Sequence, residues 1–229
     1  MTPRTIVVLT GAGLSAESGI PTFRAADGLW ERHRIEDVAT PEAFHRDPDL
    51  VLRFYDMRRA AAAAAQPNAA HHALARLSRR PGVTLITQNV DALLDRAGAQ
   101  DVIHMHGRID GALCAACGHR WPAPPTLPRT LPCPACGAGA ARPDIVWFGE
   151  MPYHMDRIEA ALDQADLFAA IGTSGQVYPA AGFVDVARMV GAATVELNLE
   201  PTAPGRFDEV LTGPASRIVP AWVDSLTAS

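Results

Sequence analysis

The stretch TIVVLTGAGLSAESGIPTFR, residues 5–24, decides the predicted fold. It begins with a short β-branched and apolar run, which is typical of a buried strand. The run ends at Gly11, where a Gly-x-Gly-x-x-Ala loop follows that we expect to open a helix. Glycines at such a turn let the backbone approach a pyrophosphate, and a helix N-terminus favours its negative charge. Alone, this fingerprint is weak, because a strand-to-helix turn without any ligand explains it as well.

The rest of the chain alternates between strand and helix patterns. Alternation of this kind favours an α/β fold with a Rossmann-like, doubly wound parallel sheet. The strands are predicted at residues 83–87, 102–106, 144–148, 167–171 and 193–197, and the helices at residues 48–65, 69–80, 155–165 and 180–190.

Four cysteines mark a small insert within this alternation. Cys114 and Cys117 form one CxxC pair, and Cys133 and Cys136 form a second pair 15 residues later. Two such turns can place four thiolates in a tetrahedron around one zinc ion. Four sulfur ligands leave no coordination position for water, so the sequence predicts one structural Zn²⁺ in a zinc-binding insert domain. Two redox or disulfide pairs fit a reducing compartment less well.

Composition limits the remaining classes of protein. The 229 residues are 48% hydrophobic and carry a formal net charge of −5, which suits one buried core and argues against direct nucleic-acid binding. No apolar run approaches the ~18 residues of a membrane span. Residues 1–10 lack the sections of a signal peptide, so we expect a cytoplasmic protein. We predict one domain over residues 1–229, with a Rossmann-like part at approximately 1–30, 80–110 and 143–229, a helical segment at approximately 31–79 and the zinc-binding insert at approximately 111–142.

Seven motifs follow one another in a fixed order. After residues 11–24 come TQNVD at 87–91, His106-Gly107, the four cysteines, VWFGE at 146–150, Gly172-Thr173-Ser174 and Glu196-Leu197-Asn198. In content and order they closely resemble the motifs of the sirtuins, the NAD-dependent protein deacylases. The resemblance covers nearly the whole chain and implies that NAD is consumed as a co-substrate to remove acyl groups from the lysine side chains of proteins. The implied products are nicotinamide, O-acyl-ADP-ribose and free lysine.

The resemblance also implies a role for each site residue. The implied catalytic residues are His106, as a general base that titrates near neutral pH, with Asn89 and Asp91, which position nicotinamide and ribose. His104 shares a strand face with His106, so only the adjacent Gly107 separates the two. For Asn89 and Asp91, hydrogen bonds within a turn are the alternative. The residues implied to bind NAD are Gly11, Ala12, Gly13, Ser15, Ala16, Glu17, Thr22, Phe23, Arg24, Trp30, Gln88, Asn89, Val90, Asp91, Gly172, Thr173, Ser174, Asn198, Leu199, Glu200 and Ala215.

The helical segment is implied to form the acyl pocket. Tyr55 and Arg58 share one face of a predicted helix, where a phenol beside a guanidinium can bind a carboxylate. The alternative is an ordinary amphipathic helix, in which a solvated arginine and a half-buried tyrosine have the same spacing. Within the sirtuin resemblance, the pair implies that succinyl and malonyl groups are removed as well as acetyl groups. Thr22, which replaces the aspartate of many acetyl-preferring members, and the small Ala39 point the same way. The substrate is implied to pair with an edge strand formed by Val146, Trp147, Phe148 and Gly149.

Three other functions compete with this interpretation. Mono-ADP-ribosyl transfer would use the same NAD cleft, but the Tyr55–Arg58 pair argues against it as the main activity. A zinc-stabilised module that senses NAD or ADP-ribose is disfavoured by the joint presence of His106, Asn89 and Asp91. A hydride-transferring dehydrogenase fits the glycine loop but not the zinc insert. The pattern leaves the oligomeric state open and is compatible with a monomer.

Overall fold

The computed structural model describes residues 4–22, 29–30 and 33–227. The strands are β1 (Ile6–Thr10), β2 (Leu29–Trp30), β3 (His33–Arg34), β4 (Val83–Thr87), β5 (Ile103–His104), β6 (Gly107–Cys114), β7 (Arg120–Pro122), β8 (Ala141–Ile145), β9 (Leu167–Ile171), β10 (Ala193–Asn198) and β11 (Glu209–Thr212). The α-helices are α1 (Ile35–Val38), α2 (Pro41–Arg46), α3 (Pro48–Ala64), α4 (Ala69–Leu77), α5 (Leu93–Arg96), α6 (Met155–Leu162), α7 (Phe183–Met189) and α8 (Ala215–Thr227). None of the helices in the described ranges is long and apolar enough to cross a membrane.

A six-stranded parallel sheet forms the centre of the fold. Its spatial order is β5-β4-β1-β9-β10-β11. Numbered along the chain, these six strands run 3-2-1-4-5-6, which is the order of the Rossmann fold. The predicted α/β class and parallel sheet are therefore confirmed. The order reverses between β1 and β9, and in such sheets ligands bind at the carboxyl ends of the strands beside this reversal.

The sheet is covered on both faces. Every residue of β1 is buried. Ile6 and Val8 face a core formed with α4 and α8, whereas Val7 and Leu9 face a second core formed with α6 and α7. Burial on both sides explains why this strand is a continuous apolar run rather than an alternating one.

A smaller unit joins the helical segment to the cysteines. Strands β7, β6 and β8 form an antiparallel sheet that packs against α3. On α3, Arg59 donates to the Ile109 carbonyl at 2.8 Å, and Asp56 accepts the Leu127 N–H at 3.1 Å. One helix therefore anchors the cysteine-bearing sheet and, three residues apart, carries Tyr55 and Arg58.

Some predicted elements differ in the structure. Two 3-10 turns, Ala12–Leu14 and Ala16–Ser18, replace the expected α-helix after β1, and they end at Gly19 with a left-handed φ of 85°. The strand expected at residues 144–148 is β8, and residues 147–150 turn instead, because the Trp147 carbonyl accepts the Glu150 N–H. The strand expected at residues 102–106 shortens to β5.

Two elements near the C-terminal end escaped prediction. Strand β11 is a mostly exposed edge strand, so it has little apolar alternation. Helix α8 carries Pro220 in its interior, and proline argues against a helix in a pattern-based prediction.

Candidate active site at the carboxyl ends of the strands

A cleft of about 580 Å³ opens where the strand order reverses between β1 and β9. This volume lies within the ~300–1,000 Å³ of small-molecule sites. Its walls come from the glycine loop, the turn after β4, His106, the loop after β9, residues 145–150 and one face of α3. The topology therefore brings residues from distant parts of the chain to one crevice.

Three glycines let two loops of this cleft pack backbone against backbone. Gly11 N–H donates to the Ile171 carbonyl and Gly13 N–H to the Gly172 carbonyl, both at 2.9 Å. A Cβ atom on Gly13 would lie 2.7 Å from Gly172 Cα, and one on Gly172 would lie 2.5 Å from the Leu14 nitrogen. Larger side chains here would separate the loops, so these glycines serve loop packing as well as access to the cleft.

A buried hydrogen-bond network lies beneath the glycine loop. Ser15 Oγ donates to Asp91 Oδ2 at 3.0 Å, and Asn89 Nδ2 donates to the Gly11 carbonyl at 3.0 Å and to Ser15 Oγ at 3.2 Å. Burial raises the pKa of Asp91, while the Leu93 N–H and the Ser15 hydroxyl partly offset this by hydrogen bonding to the carboxylate. Asn89 and Asp91 thus hold the glycine loop in place through direct hydrogen bonds to Gly11 and Ser15.

His71 belongs to this network, although the sequence did not single it out. The residue is fully buried, and its Nε2 atom lies 3.3 Å from Ser15 Oγ. The Asn68 N–H donates to Nδ1 at 3.2 Å, so the neutral ring carries its hydrogen on Nε2 and donates it to Ser15. Burial lowers the pKa of His71 to about 4. The available signal was the helix cap, because Asn68 and His71 form a reciprocal capping box at the start of α4.

His106 lines the cleft with a defined tautomer. Its Nδ1 lies 3.1 Å from the Gln88 carbonyl, which can only accept a hydrogen bond. The neutral ring therefore carries its hydrogen on Nδ1, and Nε2 remains unprotonated. Burial lowers the pKa of His106, and this hydrogen bond partly offsets the effect. The side chain is consequently a neutral base at physiological pH.

The two histidines that the sequence could not separate lie in different surroundings. His104 is buried away from the cleft, with Nε2 at 2.9 Å from Asp95 Oδ2. Arg108 also bonds Asp95, at 2.8 Å. His104 thus belongs to a hydrogen-bonded cluster with Asp95 and Arg108 that joins α5 to β6.

The far end of the cleft is lined by residues that follow β9 and β10. Asn198 donates to the Thr173 carbonyl at 2.8 Å, and its Oδ1 accepts the Leu199 N–H at 3.0 Å. Much of the hydrogen-bonding capacity of Asn198 is therefore used within the protein. Glu17 closes this end from the opposite side, because its carboxylate accepts the N–H and the hydroxyl of Ser216 at the start of α8. Glu200 is not among the residues that line the cleft.

The other end of the cleft is an aromatic pocket on α3. Tyr55 and Arg58 both line it, together with the buried Ala39 and Trp147. Tyr55 is 1% exposed, and burial raises its pKa to about 12. The Arg58 guanidinium lies 5.6 Å from the centre of the Phe54 ring. A neutral phenol and a cation thus face the same apolar space.

Residues 146–149 are only partly free to pair with an extended peptide. Val146 N–H donates to the His106 carbonyl at 2.9 Å, Phe148 N–H to the Ala39 carbonyl at 3.0 Å, and Trp147 N–H to Glu150 Oε2 at 2.8 Å. Three N–H groups of this segment are therefore used within the protein and are not available to a peptide.

The four cysteines lie together away from the cleft. Their sulfur atoms lie within 4.8 Å of one another, and the Cys114–Cys136 and Cys117–Cys133 sulfur pairs are each 3.7 Å apart. Zinc bonded to four thiolates at ~2.3 Å in a tetrahedron holds its sulfurs roughly 3.8 Å apart. The donor set and its spacing therefore fit one structural zinc ion.

Most residues proposed from the sequence for NAD or substrate converge on the cleft. Phe23 and Arg24 lie outside the described residues, as does the side chain of Trp30. The remaining ones that line the cleft are Gly11, Ala12, Gly13, Ser15, Ala16, Glu17, Thr22, Ala39, Tyr55, Arg58, Gln88, Asn89, Val90, Asp91, His106, Val146, Trp147, Phe148, Gly149, Gly172, Thr173, Ser174, Asn198, Leu199 and Ala215.

Comparison with known proteins agrees with this arrangement. The Sir2 family pattern matches residues 11–179. A protein of Caulobacter vibrioides named NAD-dependent protein deacylase is 54% identical over 230 residues, which cover 97% of this chain and 97% of that protein.

Solved structures give the same result. A Sir2 homologue in complex with NAD is similar with a TM-score of 0.90 and 40% identity, over 99% of this chain and 90% of that one. A serine-to-alanine variant of a Sir2 homologue in complex with ADP-ribose has a TM-score of 0.91 and 40% identity, over 99% and 93% of the two chains. With its strand order, its glycine-lined cleft and these matches, the chain belongs to the Sir2 family.

Proposed function

We propose that this chain is an NAD-dependent protein-lysine deacylase that removes acetyl groups and acidic acyl groups such as succinyl and malonyl. Its products would be nicotinamide, O-acyl-ADP-ribose and free lysine. The observation that carries the proposal is the cleft itself. It joins a neutral histidine of fixed tautomer to a glycine-lined crevice at one end and to the Tyr55–Arg58 pair at the other.

The crevice suits a dinucleotide. Its glycine loops line the cleft at the carboxyl ends of β1 and β9, where such folds bind pyrophosphate. NAD bound there would supply the ribose carbon that accepts the acyl oxygen. The Sir2 homologue named above was solved in complex with NAD, which supports the same use of this crevice.

His106 is proposed as the general base. The Gln88 carbonyl holds its hydrogen on Nδ1, so the Nε2 lone pair can accept a proton from a hydroxyl in the cleft. Its lowered pKa keeps this lone pair available at neutral pH.

Asn89, Asp91 and Ser15 are proposed to hold the NAD-binding loop in position. The Ser15 hydroxyl hydrogen is used by Asp91, and His71 and Asn89 both donate to the same oxygen. Movement of any one of these groups would leave buried polar atoms unpaired, which costs roughly 1–3 kcal/mol for each. The network therefore keeps the glycine loop rigid around the reacting end of the dinucleotide.

The acyl preference follows from the pocket on α3. Arg58 offers a charged fork and Tyr55 a neutral hydroxyl, and together they suit the carboxylate at the end of a succinyl or malonyl group. Ala39 leaves room beside them. An acetyl group is shorter and uncharged, so it would use the apolar walls of the same pocket without the pair.

The remaining parts of the proposal concern partners, location and zinc. Acylated lysines of other proteins would enter past residues 146–149, which line the cleft. A cytoplasmic location suits four cysteines that are free of disulfides. One zinc ion would hold the cysteine-bearing sheet together through Cys114, Cys117, Cys133 and Cys136, away from the reaction.

A single peptide with acetyl, succinyl, malonyl or glutaryl groups on one lysine tests the proposal. With NAD and the purified protein, the peptide should lose its acyl group and nicotinamide should be released from NAD. Both should occur with the acetyl form and with the acidic acyl forms. His106→Gln should reduce both signals by ~10²–10⁴-fold, the range for a lost general base. His45→Gln, which changes an exposed histidine, is the matched control and should have no effect.

Three outcomes would contradict the proposal. NAD binding without acyl-dependent nicotinamide release would favour a sensing module. Transfer of ADP-ribose to a protein without acyl loss would favour ADP-ribosylation. Activity on acetyl peptides alone would refute the acidic-acyl part and leave the deacylase intact.

A further inference from the structure

The indole of Trp147 makes a buried contact with the acyl pocket. Trp147 is 2% exposed, and its Nε1–H donates to the hydroxyl oxygen of Tyr55 at 3.0 Å. The two residues are 92 positions apart, and both line the cleft. Trp147 lies in the 146–149 segment proposed to contact the peptide, yet its side chain turns inward to Tyr55.

This contact determines what the Tyr55 hydroxyl can do. A phenol has one hydrogen to donate and lone pairs that accept, whereas an indole N–H can only donate. Trp147 therefore takes an acceptor position and leaves the hydroxyl hydrogen available. Within the described residues, no second hydrogen-bond partner of this hydroxyl is present. The raised pKa of Tyr55, about 12, also keeps this hydrogen in place at neutral pH.

The indole is itself held in place by an ion pair. The Arg142 guanidinium lies 3.6 Å from the centre of the Trp147 ring and bonds Glu150 at 2.6 Å. Glu150 in turn accepts the Trp147 backbone N–H at 2.8 Å. Phe44 packs on the ring with centroids 5.2 Å apart. Side chain and backbone of Trp147 are thus fixed by the same charged pair.

We propose that Trp147 is a positioning residue for acidic acyl groups. Its indole N–H holds the Tyr55 hydroxyl as a hydrogen-bond donor directed at a carboxylate in the pocket beside Arg58. The proposal rests on the proposed function and adds to it, because it makes acyl preference depend on the segment that contacts the peptide. An acetyl group has no terminal carboxylate, so its turnover does not depend on the direction of this hydroxyl.

The test is a double-mutant cycle with Trp147→Phe and Tyr55→Phe on one peptide in acetyl and succinyl forms. Trp147→Phe keeps an aromatic ring and removes the N–H. We expect about a tenfold higher KM for the succinyl peptide, the effect of roughly one hydrogen bond, with kcat little changed. The acetyl KM should rise less than the succinyl KM, because an acetyl group has no carboxylate for the Tyr55 hydroxyl to bind. In the Tyr55→Phe background, Trp147→Phe should have no further effect on the succinyl KM.

A control and a second variant keep the test independent of folding. Trp121→Phe changes a tryptophan of the cysteine-bearing sheet that does not line the cleft, and it should leave both substrates unaffected. Should Trp147→Phe fold poorly, β-(3-benzothienyl)alanine at position 147 keeps the bicyclic shape and replaces only the N–H. It should raise the succinyl KM in the same way.

Two results would overturn the inference. Equal losses on both acyl groups, or additive losses in the double variant, would mean that Trp147 only supports the local structure. These results differ from failure of the proposed function. In that case the parent itself would release no nicotinamide with either peptide, and both claims would fall together.

Discussion

Replacement of Arg58 by methionine should separate the two substrate classes. Arg58 lies on α3 beside Tyr55 and faces the cleft, so a succinyl carboxylate in the pocket would meet a charged fork and a neutral hydroxyl. Methionine keeps an unbranched apolar stem and removes the charged guanidinium. The acidic acyl group would then lose its cation, whereas an acetyl group loses nothing that it contacts.

The magnitude follows from the kind of contact. A hydrogen bond to a charged group contributes about 1.5–3 kcal/mol, and a guanidinium fork can make two of them. Arg58 is partly exposed, so we take the low end for each bond, which gives about 3 kcal/mol for the fork as a whole. At ~1.4 kcal/mol for each factor of ten, succinyl kcat/KM should fall roughly 100-fold or slightly more. Acetyl kcat/KM should stay within about threefold on the same scale.

The assay measures initial rates on one peptide with succinyl- or acetyl-lysine at saturating NAD. Because the chain contains no lysine, every acyl-lysine signal comes from the peptide. Arg53→Met is the matched control, since Arg53 is an exposed arginine on the same helix that does not line the cleft. Equal losses on both peptides, or an equal effect of Arg53→Met, would refute the carboxylate role of Arg58.

Three further predictions concern pH and metal. Burial lowers the pKa of His106 from 6.5, so the neutral base should persist in mild acid. The acid limb of the kcat/KM profile should therefore lie below pH 6.5, and a limb above that pH would contradict the assignment of His106 as the base. The pKa of His71 falls from 6.5 to about 4 on burial, so the unfolded chain takes up the proton first as the pH drops, and stability is lost between pH 6.5 and about 4. Denaturant melts should show a loss of roughly 2–3 kcal/mol over this range that is absent in His71→Gln; parallel curves would refute it. A strong chelator should remove one zinc ion per chain and lower the melting temperature, with recovery on adding zinc; an unchanged melting curve after metal loss would contradict a structural site.

The sequence predicted the parts of the fold that local patterns encode. Strands such as Val83–Thr87 and Leu167–Ile171 were predicted to the residue, because a buried parallel strand is a short apolar run between polar turns. The two 3-10 turns after β1 were not predicted, because they depend on the packing of Gly13 against Gly172. These two residues are 159 positions apart, and no local pattern records their contact.

The site shows the same division. Periodicity could not separate His104 from His106, because residues two apart share a face of the strand predicted at 102–106. In the structure the strand ends at His104, which bonds the Asp95 carboxylate, whereas His106 bonds the Gln88 carbonyl. The hydrogen bond from Trp147 to Tyr55 lies beyond sequence reasoning for the same reason. The segment 146–149 was expected as a free edge strand, and the Glu150 carboxylate takes one of its N–H groups instead.

The most direct test of the account is the stoichiometry of one reaction. Parent protein, NAD and a succinyl-lysine peptide are combined, and nicotinamide, deacylated peptide and succinyl-ADP-ribose are counted by mass spectrometry. The account predicts equal amounts of all three, and ~10²–10⁴-fold smaller amounts with His106→Gln at the same time point. Nicotinamide release without matching loss of the succinyl group, or loss of the succinyl group without NAD, would contradict it.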